Sequence, residues 1–329
     1  MPKRSSPKHA PPSPLAPKKA PAQEILLAQE QEIQQLIARF QASTPTGVDV
    51  QKLEVLVRTA LFKPAAALVA FLLQASAEQI DAAYQPKPGE QRKAREPITI
   101  DCIFGSFVLE RDYYYHPGKE IGHYPADDAL GIEAGKTPAL LRLVCLEGAD
   151  EASYQKAEEH LRETGGIGIS ARQIQRTVQQ VGAGAQAWQQ RQALKALPEC
   201  QPAPILYVSA DATGLPMRQE ELEGRKGKQP DGTAKTRSAY LGCVFTQHRR
   251  DEQGRPVRDY QSTTYVSGEA GCKTVIGSRC KQSAMFWGKP GAENVLALRC
   301  IRASRRLDAF WKDRLNAQAA RNDCLAISA

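Results

Sequence analysis

From Gln23 the apolar positions keep helical time: Leu26, Ile33 and Phe40 recur at seven-residue steps, with Leu36 and Ile37 between them. A second helix is predicted over residues 49–62. A third is predicted to open with Pro64 in its first turn, where the missing N–H costs nothing, and to run to about Tyr84. The polar stretch QPKPGEQRKAREP (85–97) reads as a linker. The period then switches to two. Ile98, Ile100, Cys102 and Phe104 fall on one face of a strand; after Gly105-Ser106, Phe107, Leu109, Tyr113 and Tyr115 share a face of its partner, with Arg111 the exception. That is a β-hairpin pattern.

Residues 136–182 return to helical spacing. One helix is expected over about 151–163, ending in Thr-Gly-Gly, and Ser170 is expected to cap a second over 171–181. Two short helices joined by a glycine-bearing turn are the layout of a helix-turn-helix, which would place Arg172, Gln173, Gln175 and Arg176 at the start of the reading helix. An ordinary helical hairpin has the same pattern, and spacing alone does not choose between them.

After Pro198, ILYVSAD (205–211) reads as a short buried strand ending in the carboxylate of Asp211, and residues 239–246 and 263–266 read as two further strands. The chain from Glu269 is expected to be mostly helical. Residues 270–321 hold eleven Lys/Arg against three acids. In a helix expected over about 293–314, Leu296, Cys300, Ala303, Leu307 and Phe310 form the apolar stripe, flanked by Arg299, Arg302 and Arg306. The one-sided sign favours a phosphate-facing surface over a merely solvated one.

At 329 residues the chain can bury a core in more than one domain. A net charge of +8 favours a polyanionic partner without specifying one. Residues 1–22 carry seven prolines, five Lys/Arg and no acid, too little apolar surface to fold on; they read as a disordered basic tail, suited to DNA backbone or to solubility alone. No apolar run is read as a membrane span, since the most hydrophobic, Ala65 to Leu73, is short and Ala-rich, so a cytoplasmic protein is expected. The eight cysteines stand singly, without a CxxC pair, and read as reduced, buried thiols. His116 and His123 in HPGKEIGH lack the further ligands a zinc site needs.

A strand-borne Asp followed by two strands and later by a helical Glu is the layout of RNase H-like nucleases and transposases. In that chemistry three carboxylates hold two divalent ions about 4 Å apart, one activating the attacking hydroxyl and one stabilising the leaving oxygen. Hard oxygen ligands suit Mg²⁺. The runs VSADATGLPM (208–217), EGRKGKQPDGTAKTRSAYLGCVFTQ (223–247), DEQGRPVRDYQSTTYV (251–266), EAGCKTVIGSRCKQSAMFW (269–287) and GAENVLALRC (291–300) resemble, in order, successive blocks of bacterial insertion-sequence transposases of the ISKra (Kra-type) family. FGSFVLERDYYYH (104–116) and ISARQIQRTV (169–178) resemble that family's N-terminal half more loosely.

The resemblance implies that Asp211 is the first catalytic aspartate and Glu269 the catalytic glutamate, together ligating Mg²⁺ or Mn²⁺ wherever the site forms. Lys273, one turn after Glu269, becomes a phosphate contact, and Arg279, Lys281, Arg299, Arg302 and Arg306 join Arg172, Gln173 and Arg176 as DNA-binding candidates. Two departures stand out. Relatives with a zinc ribbon after the tyrosine-rich strand carry CxxC where this chain has HPGKEIGH, so no zinc is expected. Intact members also have a long segment between the STTYV strand and the EAGCK helix, holding a fourth strand with the second catalytic aspartate; here only Ser267 and Gly268 separate Val266 from Glu269.

The resulting expectation is an α+β chain in four parts: a disordered tail (1–22), a helical region with linker (23–95), the β-hairpin plus helix-turn-helix-like region (96–198), and an incomplete RNase H-like domain with C-terminal helices (199–329). Its expected role is that of an internally deleted DDE transposase, inactive in strand cleavage, that contacts insertion-element ends. The alternative is a non-enzymatic DNA-binding regulator that associates with itself or with an intact transposase. The exposed sheet edge left by the deletion would favour such association.

Overall fold

The computed structural model describes residues 22–42, 46–118, 122–194, 207–222, 236–259, 262–267 and 287–321. The architecture is mixed α+β: N-terminal helices, a β-hairpin, further helices, and a small sheet followed by C-terminal helices. The chain divides into two compact units, residues 1–126 and 127–329. This division differs from the expected boundaries at 95/96 and 198/199. The hairpin packs on the helix before it, and the middle helices pack on those at the C-terminus.

In the first unit, α1 (Ala22–Gln41) pairs with α2 (Gly47–Ala83). Thr46 caps α2 reciprocally with Asp49, whose Oδ2 accepts from the Thr46 N–H across 2.9 Å. The two helices expected on either side of Pro64 are one, with the proline inside it. A mid-helix proline costs about 3 kcal/mol, and packing against α1 and then the hairpin supplies the tertiary support that propensity does not. Continuity also corrects the reading of membrane length: α2 is long and apolar enough to cross a bilayer by length and composition.

Strands β1 (Gln91–Cys102) and β2 (Gly105–Tyr115) form the antiparallel hairpin, with Ile100 opposite Phe107 and Cys102 opposite Gly105. The strand therefore begins inside the expected linker. Arg111, the one charge on the apolar face of β2, is buried: its guanidinium lies 3.7 Å from the Tyr124 ring centroid and donates to the Glu96 carbonyl oxygen across 3.0 Å. His123 bonds Glu90 across 2.8 Å and Tyr84 across 3.2 Å, so it is held within the fold.

The unit boundary falls within α3 (Pro125–Leu130). The second unit continues with α4 (Pro138–Asp150), α5 (Tyr154–Gly165) and α6 (Ala171–Leu194), then β3 (Tyr207–Pro216), β4 (Thr236–Phe245), the short pair β5 (Arg249–Arg250) and β6 (Pro256–Val257), and β7 (Thr264–Ser267). Helices α7 (Lys289–Ala303) and α8 (Leu307–Ala319) close it. The single helix expected over 293–314 is broken at Ser304–Arg306, where Arg305 takes a left-handed φ of 55°. The break turns the stripe: Cys300 and Phe310 are buried but Ala303 is exposed. Helix α7 is the core element, burying Val295, Leu296, Leu298 and Ile301 against α6 on one side and β7 on another. Cys102, Cys145, Cys243 and Cys300 are buried.

Candidate functional site

Two places carry the candidate chemistry, the sheet and the α5–α6 pair. The sheet runs β3-β4-β7, antiparallel throughout. Asp211 lies opposite Leu241, which lies opposite Ser267, so Asp211 and the last residue of β7 occupy one cross-strand row. β3 runs on to Pro216, so Asp211 sits in mid-strand rather than at the strand end that its sequence suggested. Nor is the strand buried where the aspartate approaches. Val208 is 70% exposed and Ser209 and Ala210 are exposed, and β3 has a strand partner on one side only among the described residues.

Beyond Pro216 the chain makes a short parallel contact with a later segment: Trp287 N–H donates to Pro216 O across 3.0 Å, and Arg218 N–H to Trp287 O across 2.9 Å. Glu269, Lys273, Arg279 and Lys281 lie outside the described residues.

Other aspartates of this unit are engaged elsewhere. Asp251 closes the β5–β6 turn, accepting from the Arg255 N–H across 2.8 Å and pairing with the same residue's guanidinium, which together hold its carboxyl below the usual range. Asp259 accepts from the His248 N–H and the Thr246 hydroxyl, each across 2.8 Å, and is likewise lowered. Asp308 pairs with Arg142 at 2.6 Å.

The α5–α6 junction is built by local rules. Ser153 caps α5 through the Lys156 N–H. Gly166 ends it in the left-handed conformation, its N–H donating to Arg162 O in the bond of an αL cap, and Ile167 N–H donates to Leu161 O. Ile167 and Ile169 are buried in the turn. Ser170 and Gln173 then form a capping box: Gln173 Oε1 accepts from the Ser170 N–H across 3.1 Å, and Ser170 Oγ accepts from the Gln173 N–H across 3.4 Å. Glu158 of α5 accepts from the Ala171 N–H across 2.8 Å and ties the two helices.

Arg172 and Arg176, four residues apart on α6, are exposed and make no ion pair among the described residues. Gln173 is exposed too, but its side-chain oxygen is committed to the cap. The structure thus keeps both arginines on one presented turn and gives Gln173 a structural duty.

The C-terminal arginines fare differently. Arg299 is only 11% exposed in its side chain and donates to Ala149 O across 2.8 Å. Arg302 forms an ion pair with Asp150. Arg306 lies over the Trp188 ring, 5.0 Å from its centroid. Arg299 and Arg302 thus meet the C-terminus of α4, with Arg302 half exposed, and Arg306 covers a core tryptophan.

Sequence reasoning missed a further cluster. Glu147 and Glu151, one helical turn apart at the end of α4, converge with His160 of α5, and their ligand atoms lie within 4.8 Å of one another. Glu147 Oε2 is 2.6 Å from His160 Nδ1, a contact that raises the imidazole pKa above its ordinary value. The Glu-x-x-x-Glu spacing was legible; the approach of His160 depended on the fold of α4 against α5. These groups offer three ligands to a cation, on elements other than the strand that carries Asp211.

The model of a family described as Uncharacterised protein family (UPF0236) matches residues 44–229, more than half the chain, from the start of α2 through β3. No curated protein matches.

Proposed function

The chain belongs to the uncharacterised family UPF0236, and we propose that it is an insertion-sequence transposase of the ISKra type, deleted within its DDE domain, inactive in strand cleavage and still able to bind DNA. The observation that carries this is the end of β7. Ser267 stands on the same row as Asp211, and Glu269, the residue that matches the family's catalytic glutamate, follows after Gly268 alone. One residue cannot supply a fourth strand and its aspartate.

Three features support the reading. The sheet begins with the Asp211 strand and continues antiparallel through β4 and β7, as expected for the first three strands of an RNase H-like domain. Among the described residues β3 is the end strand of the sheet, where a missing strand would leave an edge. Among the described residues the donor set is also short of a carboxylate, since Asp251, Asp259 and Asp308 are held by turn and ion-pair contacts. Asp211 and Glu269 alone do not fit a two-ion Mg²⁺ or Mn²⁺ site, so no cleavage step is assigned to this chain.

The exposed Arg172 and Arg176 favour a second role, a regulator that occupies element ends or combines with an intact transposase. Both readings make α6 a reading helix in a helix-turn-helix. Labelled DNA bearing insertion-element ends tests them: a mobility shift without metal-dependent nicking is expected, and nicking that Asp211→Ala abolishes would overturn the inactive reading.

A further inference from the structure

Helix α2 has two apolar faces. Along one, Phe62 meets Phe104 edge to face with centroids 5.6 Å apart, Ala66 and Ala77 are buried, and Gln74 donates to the Glu110 carbonyl oxygen across 3.1 Å. From Phe62 onward that face is covered by the hairpin, whereas Val55 and Leu56, nearer the N-terminus of α2, are 51% and 52% exposed. The other carries Val50, Val57, Leu61, Leu68 and Leu72, which fall within an arc of about 60° on a helix of 3.6 residues per turn. Phe71 lies at its margin. These six side chains are 39–54% exposed. Val50, Leu61 and Leu72 are spaced by eleven, as are Val57 and Leu68, a repeat that keeps one seam facing a partner helix. Apolar helix surface is ordinarily buried in a core or a membrane, yet α1 and the hairpin leave this seam of α2 uncovered.

We propose that the seam pairs with α2 of a second copy of this chain, antiparallel about a two-fold axis near Ala65. Such an axis sets Leu61 against Leu68 and Val57 against Leu72 of the other copy, with each contact made twice, as a two-fold interface requires. Charge selects the orientation. Glu54 lies at the edge of the seam; parallel helices would bring the two copies of it together, whereas antiparallel helices set it near Ala75. Residues 64–77, the centre of the contact, carry no charge to repel their own copy. With about half of each large side chain in solvent, the seam and its neighbours supply on the order of 500–800 Å² per copy, near the roughly 800 Å² that a stable interface takes from each partner.

A bilayer is the weaker occupant. Although α2 as a whole has the length and composition to cross a bilayer, its charge-free run is shorter than the roughly 20 residues of a span, and the opposite face of α2 packs on a hairpin that buries Arg111 and Asp112.

The test is the mass of the full chain by light scattering at micromolar concentration. The wild type is expected to run at twice the chain mass. Leu61→Glu, a change at an exposed position, is expected to weaken association at least tenfold and leave circular dichroism unchanged. Adding Leu68→Lys places opposite charges across the antiparallel seam and is expected to restore the dimer, a rescue that misfolding would not permit. A monomeric wild type, a Leu61→Glu dimer as tight as the wild type, failure of the charge pair to rescue, or flotation of the wild type with phosphatidylcholine vesicles would each overturn the proposal.

Discussion

Arg299 Nη1 donates to the Ala149 carbonyl oxygen across 2.8 Å, so a cation from α7 satisfies the last turn of α4. The same guanidinium lies 3.3 Å from Asp150 Oδ1. A largely buried charged donor at a helix C-terminus acts on stability, through its hydrogen bonds and the helix dipole. Arg299→Ala is therefore expected to lower unfolding stability by about 1.5–3 kcal/mol and to leave the salt dependence of DNA binding unchanged. Arg172→Ala and Arg176→Ala should do the reverse: stability within about 0.5 kcal/mol of wild type, and a salt slope smaller by about 1 for each arginine that contacts phosphate. Urea unfolding and DNA titrations across a salt series measure both quantities, and equal salt slopes for all three variants would contradict the assignment.

Gly182 sets how closely α6 meets α7. A Cβ there would stand 2.6 Å from Asn294 Cβ and 2.7 Å from Asn294 O, and the backbone oxygen cannot step aside. Asn294 also donates to Gln179 O across 2.8 Å, locking the same crossing. Gly182→Ala is expected to destabilise by about 1–3 kcal/mol, although helix propensity alone favours alanine. Gly184→Ala, two residues on, would meet only the far end of the Arg314 side chain at 3.1 Å and should cost much less. Thermal midpoints of the two variants decide the point.

Elements set by local chemistry were legible before the fold. The hairpin alternation, the Ser170 cap and the glycine stop at Gly166 all appear where periodicity and turn residues put them. What failed depended on long-range packing. Pro64 reads as a helix start until α1 and the hairpin hold the helix through it. The turn at Arg305 and the approach of Asp150 to Arg299 and Arg302 are likewise invisible in a helical wheel. Gln173 looked like a base-reading residue, yet the three-residue interval to Ser170 already spelled a capping box. The mid-strand place of Asp211 was hidden because TGLP looked like a loop, while pairing with β4 extends the strand through it.

Burial pushes the Asp81 carboxyl up to about 6, against the opposing pull of the Asp112 N–H, which it accepts across 3.0 Å, and of Arg95 at 3.7 Å. Its folded value exceeds the ordinary 3.8, so the folded state holds this proton more tightly than the unfolded chain. The stability it contributes is complete below about pH 4 and is lost as the pH rises through about 6, a change on the order of one proton. Asp81→Asn keeps an acceptor for Asp112 and removes the titration. The variant's thermal midpoint should therefore gain on the wild type between pH 4 and 7, measured on the transition of the first unit. A constant difference over that range would show that Asp81 does not titrate as described.

The loss of catalysis is tested most directly by incubating labelled DNA bearing insertion-element ends with the full chain in Mg²⁺ or Mn²⁺, beside Asp211→Ala, with folding checked by circular dichroism and binding by gel shift on the same samples. The expected result is a shift by both proteins and no nicking by either. Metal-dependent nicking by the wild type that disappears in Asp211→Ala would mean that a further carboxylate completes the site, and would contradict the inactive reading.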